Sequence, residues 1–369
     1  MLLLVACSGD AADATGAGDS EGETTADTST GDESTGDDAT STTTSGGTST
    51  SGSGSTGEPT TASTTAEPTT ASTTAEPTTS STTDDSTSTT TDDSTTGEPA
   101  CDGSGLTPGD HTVMVTHDGT MRSAIVHVPP SYDPTSPTPL VLNFHGFTSN
   151  AAQQVLFSGM NPLADDEGFL VAYPDGLDSS WNAGACCGTS MQQNIDDVGF
   201  VRDLVDALEA QLCVDARRIY ATGMSNGGFM SNRLACEAAD LFAAVAPVSS
   251  VNGMKTCEPS RPIPVMLFNG TADPLVFYNG GLYISAPETF AEWGDRDLCV
   301  GAPIETKKVG AATCETYESC ADGVEVTFCT LEGMGHCWPG NPICPLGQPS
   351  TDLDANAEMW AFFSMFTLP

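Results

Sequence analysis

No lysine or arginine precedes Arg122, and the first hundred positions are mostly Thr, Ser, Gly, Asp and Glu. Such a stretch buries too little apolar area to offset its ordering entropy, so it is expected to be disordered. Folding is thereby confined to positions 101–369, which are enough for one large core. The chain carries 10 Lys+Arg against 50 Asp+Glu, a net charge of −40. That balance argues against nucleic acid or an anionic polymer as partner. No apolar run is long enough to span a bilayer.

Met1-Leu2-Leu3-Leu4-Val5-Ala6-Cys7 is short, apolar and stops at a cysteine. Leu4-Val5-Ala6-Cys7 resembles a bacterial lipobox, in which cleavage precedes the Cys and its thiol takes a diacylglycerol. A signal peptide needs a positive n-region and a longer apolar stretch. Both are missing, so the true start is expected upstream. Positions 1–7 are read as a signal remnant with Cys7 as the lipidated residue, and 8–100 as an acidic Ser/Thr-rich linker. Within the linker, Glu58 to Ala66 recurs letter for letter from Glu67 to Ala75. A nine-residue period without apolar side chains is not a solenoid. It reads as a solvated stalk open to O-glycosylation, reaching roughly 50–60 Å as a flexible coil. The expected location is secreted or on the surface of a bacterium, with the membrane touched only through the lipid.

Of 13 cysteines, 12 lie from Cys101 onward. An even set in an exported chain points to disulfides, and the spacings lack the C-x-x-C of zinc sites. Short-range pairing suggests Cys236–Cys257, Cys314–Cys320 and Cys337–Cys344. Adjacent Cys186 and Cys187 are each expected to reach elsewhere.

From Cys101 to Pro369 the texture is that of a folded domain. Val113–Val115 and Ser123–Val128 flank Asp118-Gly119 and predict a hairpin. Buried-type strands are predicted at Pro139–Phe144, Phe169–Tyr173, Arg218–Thr222, Phe242–Ala246, Val265–Phe268 and Val324–Leu331. Val201, Leu204, Val205, Leu208 and Leu212 mark one face of a helix starting at Asp196 or Asp197. Further helices are predicted over Asn226–Ala239 and Asp352–Phe366. Strands alternating with helices predict an α/β domain, its mostly parallel central sheet covered by helices on both faces.

Gly223-Met224-Ser225-Asn226-Gly227 fits G-x-S-x-G, as does Gly18-Asp19-Ser20-Glu21-Gly22. Only Ser225 follows a strand and opens a helix, the context that exposes a nucleophilic hydroxyl at a sharp turn. A serine needs a base, and of five histidines only His336 follows it. His336 sits in a glycine-rich loop after the last predicted strand. The acid is assigned to Asp273, at a strand end, over Asp240, Asp295, Asp297 and Asp322. Its task is to orient the imidazole and stabilise its charged form. Oxyanion donors are expected in the backbone N–H groups of Asn226 and Phe147. His145 is read as structural, holding its loop.

Several stretches together resemble the secreted polyhydroxybutyrate depolymerase and feruloyl esterase group of α/β-hydrolases. They are Leu142–Gly146, Trp181–Gly188, Asp196–Phe200, Gly223–Gly228, Gly270–Pro274 and Gly335–Gly340. The resemblance implies the α/β-hydrolase fold over the domain at 101–369, and a triad at Ser225, Asp273 and His336. Asn269 stands where many relatives have His, and Cys337 where Thr is common. The implied activity is a serine carboxylesterase acting on a small ester or an ester-bearing polymer, without metal or other cofactor, as a monomer. Hydroxyalkanoate, feruloyl and acetyl-polysaccharide esters remain open as substrates. A peptidase or a non-catalytic surface lipoprotein on the same fold are the rivals. Trp181 and Trp338 are candidates to line the substrate pocket.

Overall fold

The computed structural model describes residues 101–369. Cys7, the repeat-bearing linker and the decoy Ser20 lie outside the described residues. The domain opens with β1 (Gly109–His117) and β2 (Thr120–Val128), paired antiparallel through Asp118 and Gly119. Both turn residues take positive φ (47° and 75°), the conformation a two-residue hairpin of right-handed twist demands.

There follow β3 (Thr138–Phe144), α1 (Ala151–Ser158), α2 (Asn161–Glu167) and β4 (Leu170–Pro174). Next come the short α3 (Gly188–Gln192), then α4 (Asp197–Glu209), β5 (Val214–Met224) and α5 (Asn226–Glu237). The second half holds β6 (Ala244–Val248), β7 (Val265–Gly270) and α6 (Ala286–Arg296). It closes with β8 (Ile304–Val309), β9 (Ala312–Tyr317), β10 (Val326–Leu331) and α7 (Ala355–Phe363).

One ten-stranded sheet runs in the order β1-β2-β4-β3-β5-β6-β7-β10-β9-β8. The six strands from β4 to β10 are parallel, with antiparallel strands at both ends. Strands β3, β6 and β7 are buried at every position, as a sheet covered on both faces requires. One face packs Phe200, Leu204, Phe229, Leu234 and Trp293 from α4, α5 and α6. The other packs Ala151, Ala164, Met359, Phe362 and Phe363 from α1, α2 and α7. This is the α/β-hydrolase fold that the resemblance implied. No helix among the described residues is long and apolar enough to cross a membrane.

All twelve domain cysteines pair, as expected, but two pairings correct the sequence reading. Cys236–Cys257 and Cys337–Cys344 form, together with Cys101–Cys213. Cys314 bonds Cys329, not Cys320, because β9 lies antiparallel to β10 with those two residues directly opposed. Cys320 instead reaches Cys299. Cys186 and Cys187, expected to reach elsewhere, bond each other.

Candidate active site

The candidate residues gather at the carboxyl ends of parallel strands, where open α/β sheets bind ligands. Phe144 ends β3, and His145-Gly146-Phe147 follows. Ser225 follows β5, Asp273 follows β7, and His336 follows β10.

Ser225 takes φ 57° and ψ −122°, a conformation L-residues rarely adopt and one costing on the order of 1–3 kcal/mol. The surrounding packing holds it there. Its N–H donates to Val248 O on β6 at 3.0 Å. The turn is tight enough that a Cβ on Gly227 would run into the Phe144 carbonyl of β3. Gly146 lies directly against the serine: a Cβ placed there would sit 3.9 Å from Ser225 Oγ. Ser225 is half-buried, and its hydroxyl makes no hydrogen bond among the described residues, to His336 or to any other group.

Asp273 and His336 do meet. His336 Nδ1 and Asp273 Oδ2 are 2.7 Å apart, and both side chains are buried. The other carboxylate oxygen accepts from Leu275 N–H at 2.8 Å and Val276 N–H at 2.9 Å. Asp273 is therefore held as an acceptor from both sides. The loops carrying the two residues are tied by Ala272 N–H to Met334 O at 3.0 Å. The His336 loop is closed on itself by His336 N–H to Leu346 O at 2.7 Å and by Cys337–Cys344. The leucine, valine and loop contacts were not legible in the sequence, since they involve main-chain groups.

The N–H groups of Asn226 and Phe147 take no acceptor among the described residues. The first sits at the start of α5, where unpaired N–H groups and the helix dipole favour negative charge. His145 is structural, as read from sequence. Its Nδ1 donates to Gly146 O at 2.8 Å, and its Nε2 accepts from Gly176 N–H at 2.9 Å. Burial holds its pKa below the ordinary histidine value, in keeping with a neutral ring that donates at one nitrogen and accepts at the other.

Trp181 and Trp338, the expected pocket residues, are fully buried. The indole N–H of Trp338 donates to Asn356 Oδ1 at 3.0 Å, and that of Trp181 to His145 O at 3.0 Å. Neither offers surface to a substrate. The exposed apolar groups on the site loops include instead Phe147, Leu275, Phe277 and Ile343. Buried Asn269 donates to Ser250 O at 3.0 Å, and so serves the wall between β6 and β7. Among the described residues the cluster with metal-ligand geometry is His117, Asp118 and Asp196, whose ligand atoms lie within 4.8 Å of one another. It belongs to the β1–β2 turn and the start of α4.

The model of the family described as Esterase PHB depolymerase matches residues 123–286. The chain is 34% identical over 269 residues to Feruloyl esterase B of Piromyces equi, covering 67% of this chain and 46% of that protein. It thus spans about half the length of that relative. It is 33% identical over 263 residues to the Putative esterase NocK of Nocardia uniformis subsp. tsuyamanensis, covering 63% of this chain and 76% of that one. A solved structure, the acetyl xylan esterase from Aspergillus awamori, aligns over 69% of this chain and 99% of its own, with 17% identity and a TM-score of 0.48.

Proposed function

The chain belongs to the PHB depolymerase family of esterases, and from that premise we propose that it is a serine carboxylesterase whose triad is Ser225, His336 and Asp273. The observation that carries the reading is the 2.7 Å contact of His336 Nδ1 with a buried carboxylate already held by two backbone N–H groups. That arrangement fixes the tautomer whose Nε2 is free to take a proton.

In the proposed cycle Ser225 Oγ attacks the ester carbonyl carbon, and its proton passes to His336 Nε2. The carbonyl oxygen becomes an oxyanion facing the N–H groups of Asn226 and Phe147. Collapse breaks the bond to the alcohol, which leaves with the proton from His336. Water then repeats the sequence on the acyl-serine and returns the free acid and enzyme. The hydrogen bond from Ser225 to His336 forms as the substrate seats, a tightening common in such sites.

Phe147 is 44% exposed, Phe277 53% and Leu275 42%, on the loops that carry an oxyanion donor and the acid. Such a rim favours an ester with a flat apolar or aromatic acyl group, the class named in Feruloyl esterase B, over an acetyl group. The proposed setting is outside the cytoplasm, supported by six disulfides in the described domain, with Cys7 as the lipid-bearing residue. The test is hydrolysis of matched p-nitrophenyl, feruloyl, acetyl and hydroxybutyrate esters by wild type and Ser225→Ala. Turnover absent from the variant and greatest on the feruloyl ester supports the reading. Equal turnover in both proteins overturns the triad, and a preference for acetyl esters overturns the aromatic assignment.

A further inference from the structure

Asn226 follows the nucleophile, and its side chain is fully buried. Its Oδ1 accepts from Trp181 N–H at 2.7 Å and its Nδ2 donates to Trp181 O at 3.0 Å. The amide therefore grips the main chain of Trp181 on both sides. The same tryptophan sends its indole N–H to the carbonyl of His145 at 3.0 Å. His145 in turn donates to Gly146 O, and Thr148 N–H donates to Ser179 O at 2.8 Å. Phe147 thus lies between two residues fastened to the segment that carries Trp181.

We infer that Trp181 is a positioning residue that couples the two oxyanion donors, with its backbone fixing Asn226 and its indole fixing the loop of Phe147. The inference rests on the proposed esterase chemistry. The two N–H groups come from segments far apart in sequence, on the loop after β3 and at the start of α5. They stabilise an oxyanion only if both stay aimed at one point, to within a fraction of an ångström. A single residue bonded to both sides supplies that constraint.

The ring is itself held. It meets Phe144 edge-on at 5.2 Å between centroids and lies 6.5 Å from Phe200, with the Arg122 guanidinium 5.4 Å from its centre. The loop that bears it is closed by Cys187 N–H donating to Trp181 O at 3.3 Å and Ala183 N–H donating to Cys186 O at 2.8 Å, and Asn226 Nδ2 also lies 3.7 Å from Cys186 Sγ. A buried indole N–H and a buried primary amide have few productive partners. Spending both on the two sides of one hole is the feature that marks Trp181 out from an ordinary core tryptophan.

Two variants test this. Trp181→Phe keeps an aromatic ring against Phe144 and removes the indole N–H together with the second ring, so its loss is read beside that of Asn226→Ala. Asn226→Ala removes both bonds to Trp181 and keeps the backbone N–H that faces the oxyanion. If that N–H acted alone, the alanine variant would turn over normally. The coupled arrangement instead requires kcat to fall about 10- to 100-fold in each, with KM within threefold of wild type and far-UV circular dichroism and the cooperative unfolding transition preserved. The double variant should lose less than the product of the single losses, because both act through one residue.

A normal kcat in Asn226→Ala, a loss confined to KM, a loss that tracks the unfolded fraction, or fully multiplicative losses would each overturn the inference. Should Trp181→Phe fail to fold, Asn226→Ala decides alone. Turnover that survives Ser225→Ala overturns the triad and takes this inference with it. Ser225-dependent turnover with a normal Asn226→Ala variant overturns the inference only.

Discussion

Arg122 and Asp197 form an ion pair at 2.7 Å in which neither side chain is more than 2% exposed. The Arg122 guanidinium stacks 3.5 Å above the Phe200 ring, and Asp197 also accepts from Asn182 N–H at 2.7 Å. Burial lowers the pKa of the arginine and raises that of the aspartate, each shift opposed by the partner's charge. The first basic residue of the chain is thus committed to the core beneath Trp181. Deleting one partner leaves a buried charge unpaired, which typically costs about 3–5 kcal/mol. Arg122→Ala should therefore lower the denaturant midpoint sharply, whereas joint replacement by Arg122→Met and Asp197→Leu should cost much less. Equal losses in the single and double variants would show that packing volume, not the unpaired charge, is what matters.

Asp273→Asn keeps an oxygen for the Leu275 and Val276 N–H groups but turns an amide toward His336. The imidazole loses its orienting acceptor and its counter-charge. Turnover on a soluble ester should drop on the order of 10³–10⁴-fold, with melting temperature changed little. A variant within tenfold of wild type would remove Asp273 from the triad.

Asp297 accepts from Ile263 N–H at 3.0 Å, and burial pushes its carboxyl up to about 7. An unfolded aspartate titrates near 3.9. Between those values the folded chain holds a proton that the unfolded chain has released, so stability falls as pH rises from about 4 to 7. Asp297→Asn keeps the acceptor without the charge. It should flatten that fall and stabilise the protein by about 2–4 kcal/mol at pH 8. Thermal melts from pH 4 to 8 on both proteins provide the comparison, and parallel curves would contradict the assignment.

Two disulfides should separate activity from stability. Cys101–Cys213 closes a loop of 112 residues and Cys337–Cys344 one of 7. Loop entropy gives about 5 kcal/mol for the first and about 2 kcal/mol for the second. Replacing both cysteines of the long bridge by serine should lower melting temperature most and leave kcat near wild type. Replacing Cys337 and Cys344 should lower kcat more than stability, because His336 lies beside that bridge. The reverse ranking in paired melting and kinetic measurements would contradict this division.

The central strands and the elbow were legible because they carry strong local signals: continuous apolar runs, then a glycine-flanked serine between strand and helix. The outer hairpin was not. Strand β8 is exposed at all six positions, so Ile304 to Val309 shows no alternation to read. Missing it also hid β9 beside β10, and with it the opposition of Cys314 and Cys329. The triad assignments came from chain order and loop placement. The fate of Trp181 depended on partners 36 and 45 positions away, which no local pattern encodes.

Cys213 stands just before β5, and Ser225 just after it. That strand has 11 residues, with a bulge against β3 between Val214 and Ile219. A pull applied at Cys101 therefore enters the domain through sulfur at one end of a central strand, while the chemistry sits at the other. Drag on a large substrate gripped at the elbow would run along β5 into its fully buried neighbours β3 and β6.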